Sequence, residues 1–160
     1  MRVFSEAEFE EITGGRHSQY KYSQFLTAIS KFPAFCGEKG LVGHAADLTE
    51  DQVCMKELAT LFAHILHETN DMSIVREAEC DNGTPQWFCD YYNWDAKYLR
   101  TNADAKYFGR GALMMRTNKV YGQFSEAMFR DATVLLDEPD FVSSSSLLAF
   151  TSAIWLYMTP

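Results

Sequence analysis

The segment from Thr49 to Glu68 constrains the fold more than any other, because it combines a helix start signal with one continuous apolar face. Thr49 and Gln52 have the spacing of a capping box, in which each side chain bonds to the backbone amide of the other residue. Apolar residues then recur at helical spacing, at Val53, Leu58, Leu61, Phe62, Ile65 and Leu66. The pattern predicts a helix over residues 49–68 that packs against the core.

Three other segments have helical patterns. A second capping box, Ser5 with Glu8, opens the segment SEAEFEEI. Residues 22–32 place apolar side chains on one helical face, and Pro33 ends that pattern. Residues 147–158 are mostly apolar, which is typical of a helix buried on all sides.

The rest of the chain indicates loops rather than sheets. Residues 70–108 form a long stretch without clear periodicity, and residues 109–130 indicate a turn followed by a helix. No segment shows the alternation of a half-buried strand. The predicted fold class is therefore mainly α, as a single domain over residues 1–160 with long irregular loops.

Composition narrows the classes of function. The chain of 160 residues is 47% hydrophobic and carries 14 basic against 22 acidic residues, a net charge of −8. A globular domain is expected, and neither nucleic acid nor an anionic membrane is an expected partner. No apolar run is long enough to span a bilayer, and the first residues lack the apolar core of a signal peptide. By this criterion the protein is intracellular, or the numbering starts after a removed segment.

Four cysteines, Cys36, Cys54, Cys80 and Cys89, leave the redox state open. None of them forms a C-x-x-C pair, which disfavours a zinc knuckle or a thioredoxin-type site. An even count allows three disulfide pairings, and four buried thiols are the alternative.

The predicted central helix ends in FAHILHETN, and this ending has three interpretations. His64, His67 and Glu68 could share one helix face, but their order differs from the zinc-protease patterns, so a metal site is disfavoured. A purely structural arrangement, with hydrogen-bonded histidines and a solvated glutamate, is the simplest interpretation of this stretch alone. The third interpretation is that Glu68 belongs to a catalytic pair of carboxyls.

The second carboxyl of that pair would be Glu77. The helix dipole and burial would favour a protonated carboxyl at Glu68, as a general acid requires. Arg76 stands next to Glu77 and would favour an ionised carboxyl there, as a general base requires. Two carboxyls with contrasting environments are typical of glycoside hydrolysis.

A set of motifs in a fixed order resembles the family 19 chitinases. The set comprises FAHILHET, then Glu77, then YFGRGALMMRTNKVYGQF, then LLDEPDFV, then AFTSAIWLYMTP, with the Phe-Pro loop KFPAFCGEKG before them. The resemblance covers nearly the whole chain. It implies a lysozyme-like helical domain with long irregular loops around a cleft for chitin, an inverting mechanism, and neither metal nor cofactor.

The resemblance also implies roles for individual residues. Glu68 matches the general acid and Glu77 the second carboxylate of the shorter members. The positions assigned to substrate binding are His67, Thr69, Trp87, Tyr107, Arg116 and Asn118. Trp87, Tyr91, Tyr92 and Trp94 would stack on sugar rings or clamp the helices. Since the family is generally secreted, an extracellular monomer is expected, with disulfides Cys36–Cys54 and Cys80–Cys89.

Several departures from the family pattern put turnover in question. Met114 replaces a glutamine that contacts substrate, Arg116 replaces the serine that holds the attacking water, and Val120 replaces an asparagine. Lys119 replaces a tyrosine on the substrate side. We expect Arg116 to pair with Glu77, to lower the pKa of that carboxyl and to make it a poorer base.

Three functions follow from these features. The first is hydrolysis of chitin, and the second is glycan binding or protein interaction by a chitinase-like protein that has lost turnover. The third and weakest is a muramidase acting on peptidoglycan. The chain stops at Thr159-Pro160, where family members continue and form another wall of the cleft, so a C-terminal truncation relative to the family is expected.

Overall fold

The computed structural model describes residues 4–37, 47–81 and 89–159. The helices in those ranges are α1 (Glu6–Ile12), α2 (Tyr22–Ile29), α3 (Glu50–Glu68), α4 (Ala78–Asp81), α5 (Asn118–Phe129), α6 (Thr133–Asp137), α7 (Phe141–Ser144) and α8 (Ser146–Met158). Within the same ranges the extended pairing is limited to two isolated antiparallel bridges. The predicted mainly α fold class is confirmed.

Helix α3 has the start, the end and the buried face that the sequence predicts. The Thr49 amide donates to Gln52 Oε1 at 2.9 Å, and the Gln52 amide donates to Thr49 Oγ1 at 3.2 Å. Five apolar residues of the predicted face are at most 3% exposed, namely Val53, Leu58, Leu61, Phe62 and Ile65. The helix ends at Glu68, so its last turn places that carboxyl at the edge of the core.

An aromatic cluster fixes α3 against α1, α2 and α8. Phe62 of α3 lies 5.1 Å from the Phe25 ring of α2 and 6.0 Å from the Phe9 ring of α1, measured between centroids. Phe25 in turn lies 5.3 Å from Phe150 of α8. Aromatic pairs of this kind add about 0.5–1.5 kcal/mol each beyond their area burial. The cluster therefore holds the helix that carries Glu68 in a fixed position.

Helix α8 separates two apolar cores. Phe150 and Ile154 belong to the core that contains α2 and α3, whereas Trp155 and Leu156 pack against the core built around α5 and α6. Trp155 contacts Phe124 of α5 with ring centroids 5.4 Å apart. The apolar composition of α8 on all sides follows from this position.

Both predicted disulfides are present. Cys36–Cys54 joins the Phe-Pro segment to the first turn of α3, and Cys80–Cys89 joins α4 to the loop that follows. Short loops closed in this way stabilise a fold by about 2–3 kcal/mol in the chain-entropy model.

Helix α4 interrupts the stretch 70–108, for which the sequence predicts an irregular structure.

Among the helices in the described part of the chain, none is long and apolar enough to cross a membrane.

Candidate active site

The chain turns sharply after Glu68, and Thr69 stabilises the turn. The Thr69 hydroxyl donates to the Ile65 carbonyl at 2.5 Å and accepts from the Met72 amide at 2.9 Å. Left-handed backbone, with φ between 50° and 60°, continues through Asn70, Asp71 and Met72. Such backbone costs residues other than glycine roughly 1–2 kcal/mol each, with less for Asn and Asp. The turn directs the chain away from α3 and on to Glu77.

Three donors surround the Glu77 carboxylate. The Tyr91 hydroxyl donates to Oε1 at 3.0 Å, while the Gly109 amide and Arg116 Nε donate to Oε2 at 2.9 and 3.3 Å. Partial burial raises the pKa of Glu77, but these donors and the positive charge of Arg116 outweigh that effect. The pKa therefore lies below its usual value. Glu77 is held as an anion.

The Gly-Arg-Gly segment explains how the backbone approaches Glu77 so closely. A Cβ atom on Gly109 would lie 3.2 Å from Glu77 Oε2 and 3.1 Å from Met114 Cβ, so a larger residue would displace the carboxylate. Gly111 has φ +80°, and a Cβ atom there would lie 2.6 Å from Ser152 Oγ. Glycine is needed at position 111 for the loop to pack against α8, and glycine at position 109 lets the backbone amide approach the carboxylate without displacing it.

Arg116 lies between the two carboxylates of the candidate pair. Its Nε is 3.3 Å from Glu77 Oε2, and its Nη1 is 3.9 Å from Glu68 Oε2. The predicted pairing of Arg116 with Glu77 is thus present, as a single hydrogen bond rather than a bidentate one. Because both contacts go to one planar guanidinium, the nearest oxygens of Glu68 and Glu77 are no more than about 10 Å apart.

Glu68 also faces an open hollow of about 320 Å³. The other residues that line it are His64, Leu113, Leu156 and Tyr157. The Glu68 side chain is 38% exposed, so the burial on which the general-acid interpretation partly depended is absent. The carboxyl therefore lies between Arg116 on one side and a partly apolar hollow on the other.

The pairing of Glu77 gives the stability of the fold a specific pH dependence. A carboxyl whose pKa is lowered by folding stabilises the fold above its unfolded-state pKa of about 4.3, and this contribution is lost as the pH falls through the folded-state value. We expect the difference in unfolding free energy between the wild type and Glu77→Gln to stay constant from about pH 5 to pH 7 and to shrink below about pH 4. Urea denaturation of both proteins at each pH measures this difference in unfolding free energy.

The Tyr91 hydroxyl supplies a check on this interpretation. Tyr91→Phe removes one of the donors to Glu77, so the pKa of that carboxyl should rise towards its unfolded-state value, and the loss of stability on acidification should be smaller and be complete at a higher pH. An unchanged difference between wild type and Glu77→Gln at pH 3 and pH 7 would contradict the assignment of Glu77 as a stabilised anion.

Three of the residues predicted to bind substrate lie inside the core. Thr69, Tyr107 and Asn118 are each 0% exposed. Thr69 caps the end of α3, and the Tyr107 hydroxyl donates to the Leu136 carbonyl at 2.8 Å. These side chains position the loops around the candidate site and do not line its surface. Motif position alone did not reveal which way they point.

The other predicted substrate residues have different placements. His67 is exposed near the end of α3, and Arg116 is half-buried between the carboxylates. Trp87 lies outside the described residues. Tyr91, expected to stack on sugars or clamp helices, instead places its hydroxyl on Glu77. This role could not be predicted, because no local pattern indicates that residues 77 and 91 are neighbours.

Asn118 holds the loop that carries Tyr91. Its Oδ1 accepts from the Asn93 amide at 2.8 Å, and its Nδ2 donates to the carbonyls of Asn93 and Tyr98 at 2.8 and 2.7 Å. We expect Asn118→Ala to lower the unfolding free energy by about 3 kcal/mol, since three partners lose their bonds. Asn118→Asp keeps the oxygen that accepts from Asn93 but loses the amide donor, so its unfolding free energy should also fall below that of the wild type. A loss below 1 kcal/mol in urea denaturation would contradict this role.

Comparison with known proteins places these features in context. The sequence model of the family described as class I chitinases matches residues 7–160. Endochitinase 2 of Solanum tuberosum is 32% identical over 160 residues, covering 91% of this chain and 44% of that protein. Endochitinase CH25 of Brassica napus is 29% identical over 174 residues, covering 99% of this chain and 49% of that protein. The chain thus spans less than half the length of either relative.

Solved structures show the same fold. A bacterial family 19 chitinase superposes with a TM-score of 0.75 at 27% identity, covering 98% of this chain and 68% of that one. A family 19, class IV chitinase from Zea mays superposes with a TM-score of 0.76 at 26% identity, covering 99% of this chain and 71% of that one. The predicted lysozyme-like helical architecture agrees with these similarities.

Proposed function

Because this chain belongs to the class I chitinases of glycoside hydrolase family 19, we propose that its cleft binds β-1,4-linked N-acetylglucosamine polymers and hydrolyses them slowly. The observation that carries the proposal is the contact of Glu68 and Glu77 with one guanidinium. Two carboxyls within about 10 Å of each other, one partly exposed and one held as an anion, suit acid and base catalysis.

In the proposed mechanism each carboxyl has one role. Glu68 protonates the oxygen of the scissile glycosidic bond, and Glu77 removes a proton from a water that attacks from the opposite face of the sugar. The anomeric configuration inverts, and no covalent intermediate forms. Inverting enzymes keep their carboxyls roughly 6.5–9.5 Å apart to admit that water. The limit of about 10 Å set by the shared guanidinium is compatible with that range.

Arg116 makes hydrolysis slow in this proposal. Its Nε donates to Glu77 Oε2, which also accepts from the Gly109 amide. The Tyr91 hydroxyl donates to the other oxygen, Oε1. An attacking water competes for a carboxylate that already accepts three hydrogen bonds. The lowered pKa of Glu77 also makes it a weaker base.

The position of Met114 supports binding over turnover. Met114 is 3% exposed and has a left-handed backbone with φ +47°, and its Cβ packs towards Gly109. A buried thioether cannot make the polar contact that the family pattern assigns to a glutamine at this position. Substrate positioning is weakened, and misplacement by about 1 Å can cost about 100-fold in rate.

Binding of defined oligosaccharides tests the proposed substrate class. Glu68→Gln, which retains the size of the side chain but not its acidity, should bind the N-acetylglucosamine hexamer in calorimetry without consuming it. Cellohexaose has the same backbone linkage but no acetamido groups, and should bind much more weakly. Absence of hexamer binding would contradict the proposal. Preference for a muropeptide-bearing glycan would assign the cleft to peptidoglycan instead.

The proposed site of action is extracellular. Both disulfides stabilise segments next to the candidate site, Cys36–Cys54 at the start of α3 and Cys80–Cys89 directly after Glu77. Bonds of this kind persist in oxidising compartments and are rare in the cytosol. Under reducing conditions the loop after Glu77 would lose its cross-link.

A further inference from the structure

Tyr91 contacts both members of the Glu77–Arg116 pair. Its hydroxyl donates to Glu77 Oε1 at 3.0 Å, and the Arg116 guanidinium lies over its ring, with 5.8 Å between Cζ and the ring centroid. A guanidinium within about 6 Å of an aromatic ring is attracted to the face of that ring. One side chain thus restrains the carboxylate through a hydrogen bond and the neighbouring cation through its ring.

The donors around Glu77 distinguish its two oxygens. Oε2 accepts from the Gly109 amide and from Arg116 Nε, whereas Oε1 accepts from the Tyr91 hydroxyl. A carboxylate has about four lone-pair positions, shared equally by its oxygens. Among the contacts of the described residues, Oε1 is therefore the oxygen that keeps a position for a further donor. An attacking water would donate to Oε1, beside the Tyr91 hydroxyl.

The backbone is held on both sides of Tyr91. The Asp90 carbonyl accepts from the Tyr107 amide at 2.9 Å. Asn93 has both its amide and its carbonyl bonded to the buried Asn118 side chain, at 2.8 Å each. The Tyr91 side chain therefore extends from a fixed segment, which is what a residue that orients another group requires.

Unfavourable backbone conformations surround the same pair. Tyr91 has φ +48°, and Met114 and Thr117, on either side of Arg116 in the sequence, have φ +47° and +73°. Positive φ is uncommon for bulky and β-branched residues. Such conformations persist only where the surroundings enforce them, and they are concentrated at functional sites. The chain is strained in the two segments that place Tyr91 and Arg116 against Glu77.

We propose that Tyr91 is the positioning residue of the base, which orients the Glu77 carboxylate so that Oε1 receives the proton of the attacking water. The water oxygen bonds to the anomeric carbon as the glycosidic bond breaks. One water proton passes to Oε1, the proton of Glu68 passes to the departing oxygen, and Tyr91 keeps its own proton. A base oriented by a third group is a recurring arrangement in enzymes. This inference rests on the proposed function.

Removal of the Tyr91 hydroxyl tests the positioning role. Tyr91→Phe keeps the ring but frees the carboxylate to rotate, so kcat for the N-acetylglucosamine hexamer should fall about tenfold while KM stays within twofold. The acidic limb of the kcat/KM profile should move to higher pH, because Glu77 has lost a donor. Since hydrolysis by the wild type is slow in the proposed function, the comparison is made both in the wild type, with a labelled hexamer, and in Arg116→Ser.

Tyr98→Phe is the matched control. The Tyr98 hydroxyl donates to Glu126 Oε2 at 2.9 Å, so this substitution also removes a hydrogen bond from a tyrosine to a glutamate, but one that does not involve Glu77. Its kcat should lie within twofold of the parent protein, and the acidic limb of its pH profile should not move.

The combination of rate and pH profile decides the outcome. A higher kcat in Tyr91→Phe with a shifted acidic limb would show that Tyr91 only weakens the base, and it would overturn the positioning role. A lower kcat without that shift, an unchanged kcat, or an equal loss in Tyr98→Phe would overturn it as well. In these cases the proposed function stands. Absence of hexamer hydrolysis in every protein overturns the proposed function and the positioning role together.

Discussion

Arg116→Ser is expected to raise the rate of N-acetylglucosamine hexamer hydrolysis at least about tenfold. The substitution removes the cation that contacts Glu68 and Glu77, and it supplies a small hydroxyl that can hold a water against Glu77. Loss of the positive charge should also raise the pKa of Glu77 and make it a better base. Reducing-end formation, followed at several pH values, measures both effects.

The pH profile distinguishes this mechanism from a simple opening of the cleft. If Glu77 becomes more basic, the acidic limb of the kcat/KM profile should move to higher pH in Arg116→Ser. Arg116→Lys keeps the positive charge and should show little gain. Adding Glu68→Gln to Arg116→Ser should abolish the gain, because the proposed acid is then missing.

Restoring polarity next to the site should add to this effect. Met114→Gln combined with Arg116→Ser restores both residues that the family pattern has at these positions, and we expect the double variant to exceed the single one. Met114 is buried, so the glutamine amide must rotate out of the core to reach a substrate. No gain in either variant would show that Arg116 does not limit turnover.

Arg110→Met is expected to lower the unfolding free energy by about 3–5 kcal/mol, the largest stability loss that we predict, because a buried guanidinium loses its charge-assisted hydrogen bonds. Arg110 is 3% exposed, and its guanidinium contacts Asp140 Oδ1 through Nε and Nη2, at 2.8 Å each. Its Nη1 donates to three further acceptors, the carbonyls of Lys106 and Phe108 and the hydroxyl of Tyr121. Methionine fills the volume but removes all of these bonds, and the buried Tyr121 hydroxyl loses its donor.

Urea denaturation with the disulfides intact measures the loss. Lys97→Met is the matched control, because Lys97 pairs with Glu126 on the surface with a side chain that is 63% exposed, and exposed pairs contribute little to stability. Similar midpoints for Arg110→Met and wild type would contradict the central role of Arg110. The Gly109 amide that binds Glu77 is adjacent, so Arg110→Met should also perturb the pH dependence described above.

The helices that frame the site could be predicted because their signals are local. The capping boxes at Ser5 and Thr49 involve residues three apart, and the bonds formed within each box do not depend on the rest of the fold. The apolar face of α3 similarly follows from helical periodicity. The ion pair of Arg116 with Glu77 was predictable for another reason, since a long cation replaced a small residue at a position where the family pattern has a water.

Side-chain direction in the loops could not be predicted in the same way. Tyr107 and Asn118 lie in segments that resemble the family motifs, yet their side chains bond to backbone groups 20 to 29 residues away in sequence. Such bonds depend on how the loops cross, which no local pattern encodes.

Hydrolysis of the N-acetylglucosamine hexamer by the unmodified 160-residue chain, compared with Glu68→Gln under identical conditions, tests the central claim most directly. We predict that both proteins bind the hexamer and that product forms in the wild type at a rate only slightly above that of Glu68→Gln, because Arg116 competes with the attacking water. Rapid hydrolysis by the wild type that disappears in Glu68→Gln would contradict the claim that Arg116 suppresses turnover.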